Sequence, residues 1–199
     1  MTLFLLVLAA YLIGSIPFAV VCSRLFGLAD PREYGSGNPG ATNVLRSGHK
    51  GAAAATLIGD CLKGWFAVWA ALALGFAPGE AALAGLAAFI GHILSVFLRF
   101  RGGKGVATAL GVLAAIHPVI ALVSLTTWGL VAWTTRYSSA AALAATAVAP
   151  LTGFILIHDP LVIGVLMGIA AALVLRHSEN IRRLKNGSEP RIGERKGSS

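Results

Sequence analysis

The sequence predicts an all-α protein built from about seven membrane-spanning helices, and three observations carry that prediction. The 199 residues are 56% hydrophobic but only 12% charged, where a soluble domain carries about 25% charge. The apolar residues come in long blocks separated by short polar breaks, the pattern of successive transmembrane helices. The basic residues flank those blocks on one side. A soluble α/β protein with buried strands is excluded, because the runs are too long and too rich in Ala, Leu and Gly.

The predicted spans are Thr2–Gly27, Gly51–Gly75, Glu80–Leu98, Val106–Ile116, Pro118–Thr135, Ser138–Ile157 and Leu161–Leu175. The first carries no basic residue ahead of its apolar run, and Gly14, Ser15 and Pro17 fall inside it. It therefore reads as a retained span and not a removable signal peptide. The fourth is short: at 1.5 Å per residue it reaches ~17 Å, about half of a ~30 Å hydrocarbon core. Charge decides that it counts as a crossing. With seven crossings, every Lys and Arg except Lys63 lies at or beyond a span end on the same side. The opposite loops hold Pro78, Glu80, His117, His158 and Asp159 and no Lys or Arg. With six crossings, Arg136 and the basic tail would face the wrong way. The N-terminus is thus expected outside and the C-terminus in the cytoplasm, with the fourth span starting from a loop that dips into the membrane under a cover of protein.

The net charge of +8 is explained by this asymmetry before any nucleic-acid partner. Cys22 and Cys61 sit within apolar segments and read as small packing residues. Residues 1–186 form one transmembrane domain, and residues 187–199 a polar, glycine-containing tail expected to be mobile.

Three polar stretches fall on the predicted cytoplasmic face. The first runs from Gly35 to Asn43 and is followed by Arg46. Its glycines permit backbone turns that expose successive N–H groups, the makings of an anion nest. Ser36, Asn38, Thr42 and Asn43 add neutral hydrogen-bonding groups, and Arg46 a fork suited to phosphate. An ordinary turn between two spans explains the same composition equally well. The second stretch, Arg99 to Gly105, leads straight into the helix that holds Val106–Thr108. A helix N-terminus offers free N–H groups and a positive dipole end, and Lys104 adds a point charge. Arg99 and Arg101 read as interfacial anchors. The stretch is not a nucleotide P-loop, since Lys104 is followed by Gly105.

The third stretch runs from Arg176 to Leu184. His177 and Asn180, three apart, share a helix face if the last span continues, as do Arg176 and Asn180, four apart. Arg182, Arg183 and Lys185 read as headgroup anchors. Within the second span, Asp60 and Lys63 form an i,i+3 pair, read first as an ion pair that orders the site. His49, His92, His117 and His158 are scattered without metal-ligand spacing, so no metal is expected. The residues together describe a membrane-embedded site rich in anion donors and poor in acids. A lipid-synthesis enzyme fits, and so does a transporter of phosphate or an organophosphate.

Gly35–Asn43 with Arg46, Gly91-His92 through Gly102-Gly103-Lys104-Gly105-Val106-Ala107-Thr108, and Arg176-His177-x-x-Asn180-Ile181 resemble the three signature motifs of one family. It is the bacterial integral-membrane glycerol-3-phosphate acyltransferase family that uses acyl-phosphate as donor. Asp60-x-x-Lys63-Gly64 and Glu189-Pro190-Arg191 also resemble it, while Ser95 stands where its pattern has proline. The resemblance spans essentially the whole chain. It implies transfer of a fatty acyl group from acyl-phosphate to the 1-hydroxyl of sn-glycerol 3-phosphate, giving 1-acylglycerol 3-phosphate and inorganic phosphate, the first step of phospholipid synthesis. It further implies that Ser36, Gly37, Asn38, Thr42, Asn43 and Arg46 bind phosphate or acyl-phosphate. Gly102, Gly103, Lys104, Gly105 and Thr108 would hold a phosphate at the helix start, and His177 and Asn180 would orient glycerol 3-phosphate. No cofactor, metal or coenzyme A site is implied. The expected partners are the two substrates and membrane lipid, and the expected location is the bacterial inner membrane.

Overall fold

The computed structural model describes residues 2–193. These form ten α-helices and no strand: α1 Leu3–Ser15, α2 Phe18–Leu25, α3 Ala41–Leu45, α4 Lys50–Ala73, α5 Pro78–Ile93, α6 Val106–Ile116, α7 Pro118–Thr135, α8 Ser138–Leu156, α9 Pro160–Arg176 and α10 Ser178–Lys185. Among the described residues, four stretches are long and apolar enough to cross a membrane, and the bent pairs α1–α2 and α9–α10 raise that to six. The eleven residues of α6 fall short of that length.

Two of the predicted spans differ from the observed helices, and the chain bends just beyond the last, each for a local reason. The first breaks between Ser15 and Phe18 and bends by 41°. Pro17 lacks an N–H and its ring crowds the preceding turn. The Ile16 carbonyl there accepts the Phe18 N–H at 3.1 Å and Lys63 Nζ at 2.8 Å. The third span ends its α-helix at Ile93 rather than Leu98, and a single tight turn, Val96–Leu98, follows. Serine at position 95 does not straighten it. The Ser95 hydroxyl bonds the Ser15 carbonyl, and the Tyr11 hydroxyl bonds the Leu94 carbonyl. The last span turns by 55° after Arg176. Here the Leu173 carbonyl accepts both the His177 N–H at 3.1 Å and the His177 ring Nδ1 at 2.8 Å.

Helix α5 is the hub. It packs on α1, α4, α6 and α9, and Ala81, Ala82, Ala84, Ala88 and Phe89 are fully buried along it. Small residues allow the backbones to touch. A side chain at Gly14 or Gly91 would strike the facing backbone across the α1–α5 contact, and one at Gly64 or Gly111 would do so between α4 and α6. The outward faces are apolar: Phe4, Trp133, Phe154, Ile155 and Leu175 are each more than 70% exposed. That surface suits lipid and not water.

The described part of the tail returns to the α7–α8 turn. The Ile192 N–H donates to the Arg136 carbonyl at 2.7 Å, and the Arg136 guanidinium returns a bond to the Ile192 carbonyl at 3.0 Å. The remainder, 194–199, lies outside the described residues.

Candidate active site

The first polar stretch is a loop organised by one buried amide. Asn43, carried inward by α3, donates from Nδ2 to the carbonyls of Pro31 (2.6 Å) and Tyr34 (3.1 Å). Its Oδ1 accepts from the Ser36 N–H at 2.9 Å and from Arg46 at 3.5 Å. Every polar capacity of this side chain is committed to shaping the loop. Gly35 and Gly37 both sit in the left-handed region, at φ +62° and +67°, where a side chain would be strained. The loop leaves Ser36, Gly37, Thr42 and Arg46 exposed and Asn38 half-buried.

The second stretch is packed back against the broken end of α5. Gly102 N–H donates to the Ile93 carbonyl and Gly103 N–H to the His92 carbonyl, both at 3.2 Å. These bonds satisfy carbonyls that the end of α5 leaves free. Side chains at Gly102 and Gly103 would collide with His92, and one at Gly105, which starts α6 at φ +92°, with the Phe89 ring. Close packing therefore demands all three glycines, independently of any ligand. Thr108 is fully buried against Gly64 of α4, away from the polar loops. The Lys104 side chain extends toward the third.

The third stretch supplies the partners. Lys104 Nζ donates to Asn180 Oδ1 at 2.6 Å. Asn180 Nδ2 donates to Glu189 Oε1 at 2.6 Å, and Arg183 Nε to Glu189 Oε2 at 2.7 Å. Arg176 reaches the Gly102 and Gly103 carbonyls at 2.9 and 3.1 Å. The break at His177 thus sends neighbouring side chains to two targets: Arg176 holds the glycine loop and Asn180 holds Lys104. The His177 ring is buried, with Nδ1 2.8 Å from the Leu173 carbonyl. A carbonyl only accepts, so Nδ1 carries the hydrogen and a neutral ring keeps its lone pair on Nε2.

Glu189 is the member that the reading of the sequence left without a role. Burial works to raise its carboxyl, but neighbouring Ser139, Asn180 and Arg183 together hold it below the ordinary carboxylate value. It is an anion seated among cations. Burial pushes the Lys104 ammonium down to about 8, Glu189 opposes that shift, and Arg183 and Arg46 add to it. The influence of Arg46 on Lys104 ties the first loop electrostatically to the other two.

A polytopic helical protein with basic, glycine-rich loops gathered at one end is the class these observations define: an integral-membrane protein. The pattern of the glycerol-3-phosphate acyltransferase family matches residues 4–187, and the chain belongs to that family. It is 66% identical over 196 residues to a glycerol-3-phosphate acyltransferase of Aromatoleum aromaticum, covering 98% of this chain and 100% of the relative. It is 56% identical over 199 residues to one of Bordetella pertussis, covering 96% and 92%. Its fold superposes with a TM-score of 0.92 on the crystal structure of PlsY (YgiH), an integral membrane glycerol 3-phosphate acyltransferase, in its glycerol 3-phosphate form. Identity there is 40%, with 97% of this chain and 96% of that one covered. The lysophosphatidic acid form of the same protein gives a TM-score of 0.89.

Proposed function

We propose that this protein transfers a fatty acyl group from acyl-phosphate to the 1-hydroxyl of glycerol 3-phosphate, releasing 1-acylglycerol 3-phosphate and inorganic phosphate. The observation that carries the reading is the Lys104–Asn180 hydrogen bond, which joins motifs 76 residues apart into one polar centre. The solved relatives carry glycerol 3-phosphate in one form and lysophosphatidic acid in another, which matches the acceptor and product of this reaction.

The chemistry suits the residues. An acyl-phosphate is a mixed anhydride with a good leaving group. The hydroxyl oxygen forms a bond to the acyl carbon, the carbon–oxygen bond to phosphate breaks, and the hydroxyl proton leaves with the charge balance intact. Lys104 and Arg46 stabilise the charge on the phosphates, and the exposed loop of Ser36, Gly37 and Asn38 offers donors for the leaving group. Placing two anionic substrates side by side supplies much of the remaining acceleration. His177 Nε2 and Asn180 orient the attacking hydroxyl, and a substrate phosphate takes the proton. In a His177→Ala variant most of kcat is retained under this scheme; a loss of many decades would make His177 the base.

In this reading α6 completes seven crossings, with the N-terminus outside and the motif-bearing end at the cytoplasmic face of the bacterial inner membrane. The donor, whose chain is apolar, enters sideways from that leaflet. The test is phosphate release by purified protein in lipid, given palmitoyl-phosphate and glycerol 3-phosphate, with Lys104→Ala as control. Phosphate and acylglycerol phosphate should appear together, without metal or coenzyme A, and the control should be dead. Glycerol 3-phosphate flux across proteoliposomes without acyl transfer would instead mark a transporter.

A further inference from the structure

A second polar cluster lies behind the glycine loop, inside the bundle. Asp60 and Lys63 of α4 are 2.7 Å apart, with side chains only 3% and 2% exposed. Lys63 also donates to the Ile16 carbonyl at the α1–α2 break, which accepts the Phe18 N–H as well. His92 of α5 completes the cluster, its Nδ1 3.4 Å from Asp60 Oδ1. The other ring nitrogen, Nε2, lies where a side chain at Gly103 would go. The carbonyl of Pro39, from the first polar loop, abuts the same point. A cavity of about 10 Å³, room for roughly one water molecule, lies among Asp60, Lys63, His92, Ser95 and Gly103.

A buried ion pair is expensive to assemble and weak evidence for stability. Lys63 accounts for half of this one, since it ties α4 to the carbonyl at the α1–α2 break. Asp60 is explained by what it faces. Lys63 compensates its charge, and the same carboxylate oxygen, Oδ1, faces His92. The His92 ring in turn backs Gly103, while the His92 carbonyl accepts the Gly103 N–H at 3.2 Å. Gly103 is therefore gripped from two sides, by His92 on α5 and by Arg176 after α9. The next residue is Lys104.

We infer that His92, backed by Asp60 and Lys63, is a positioning residue: it fixes the Gly102–Gly103 backbone and thereby sets where Lys104 meets the phosphate of glycerol 3-phosphate. The inference rests on the acyltransferase reading for its substrate, but not for its geometry. His92 touches the loop and not the reacting atoms, so its loss should appear in KM and loop order before kcat.

The test uses the full chain in lipid, as parent, His92→Leu, His92→Gln and the charge-neutral double variant Asp60→Asn/Lys63→Met. Two readouts are taken: KM and kcat for glycerol 3-phosphate, and hydrogen exchange at the Gly102 and Gly103 amides followed by mass spectrometry. His92→Leu should raise KM about tenfold with kcat within about threefold, and should speed exchange at those amides about tenfold, while amides in the middle of α7 are unchanged. His92→Gln, whose amide reaches the Nε2 position, should return KM to within about threefold of the parent. The double variant should behave like His92→Leu, and it carries the test if His92→Leu does not fold. Unchanged KM and unchanged loop exchange in a folded variant would overturn the inference. So would exchange that rises equally throughout the bundle, the mark of a packing residue. A parent that makes no product would overturn the acyltransferase reading instead, and the loop exchange would still decide the role of His92.

Discussion

The two ends of the helical bundle solve the same problem in opposite ways. At one end the connections are short: α4 passes to α5, α6 to α7 and α8 to α9 through one to four residues. Their helix starts are satisfied locally. Pro78, Pro118 and Pro160 open three helices, where the missing N–H costs nothing. The Glu80 carboxylate accepts the Ala77 N–H at 2.9 Å, and Asp159 accepts the N–H of Leu161 at 2.8 Å. At the other end, the groups freed by helix breaks find partners far along the chain. Ile16 meets Lys63, Ile93 meets Gly102, and the loop carbonyls meet Arg176. Local caps make an end that stands alone. Long-range partners make one where the second and third polar stretches fix each other, and there Lys104, Arg176 and Asn180 collect.

The sharpest way to break this contrast is at Lys104. Lys104→Ala should lower kcat/KM by about a thousandfold, the scale of losing one preorganised charge stabiliser, with the fold intact by circular dichroism. Retention of activity would detach the interlocked end from chemistry. Glu189→Gln should act next most strongly. It removes the anion that supports the Lys104 charge and pairs with Arg183, so KM for glycerol 3-phosphate should rise about tenfold.

The pH profile sharpens the same point. The ammonium of Lys104 is the form that binds an anion, and burial places its pKa at about 8. Binding should therefore be full below that pH and fall as pH rises through it, seen as a rising KM for glycerol 3-phosphate. Bound phosphate favours the charged form, so kcat should hold to higher pH than kcat/KM. In Glu189→Gln the alkaline limb should move to lower pH, because the group that opposes the downward shift is gone. A limb that stays in place would separate the two residues.

The smallest effect is expected at the opposite end. Asp159→Ala removes a helix cap and should cost about 1 kcal/mol of stability, read as a lower thermal midpoint, with KM and kcat unchanged. A catalytic defect there would mean that the two ends are coupled through α9.

Much of the molecule was legible in its residues. Apolar blocks and charge asymmetry located each long helix to within a few residues, because burial in lipid tolerates little else. Val106–Ile116 and Pro118–Thr135 coincide with the observed helices, bounded as they are by glycine, proline and polar residues. The three polar stretches were equally visible, since charge and glycine are costly beside lipid unless used. What escaped was the assignment of jobs within them. Asn43, Gly102, Gly103 and Gly105 read as ligand groups, and the structure adds a structural job to each: Asn43 spends its amide on its own loop and the glycines make room for α5. Glu189 read as part of a free tail, but it anchors Asn180 and Arg183.

The sequence alone determined which segments must be helical, which surface is greasy and which end is basic. Those follow from composition and period, properties a segment has by itself. Only the tertiary structure decided that Lys104 meets Asn180, that Glu189 returns to them, and that Asp60, Lys63 and His92 stand behind the glycine loop. Those are meetings between residues distant in the chain. Helix breaks and the close approach of small residues bring them about, and no local pattern records which partner a freed carbonyl or a buried charge will find.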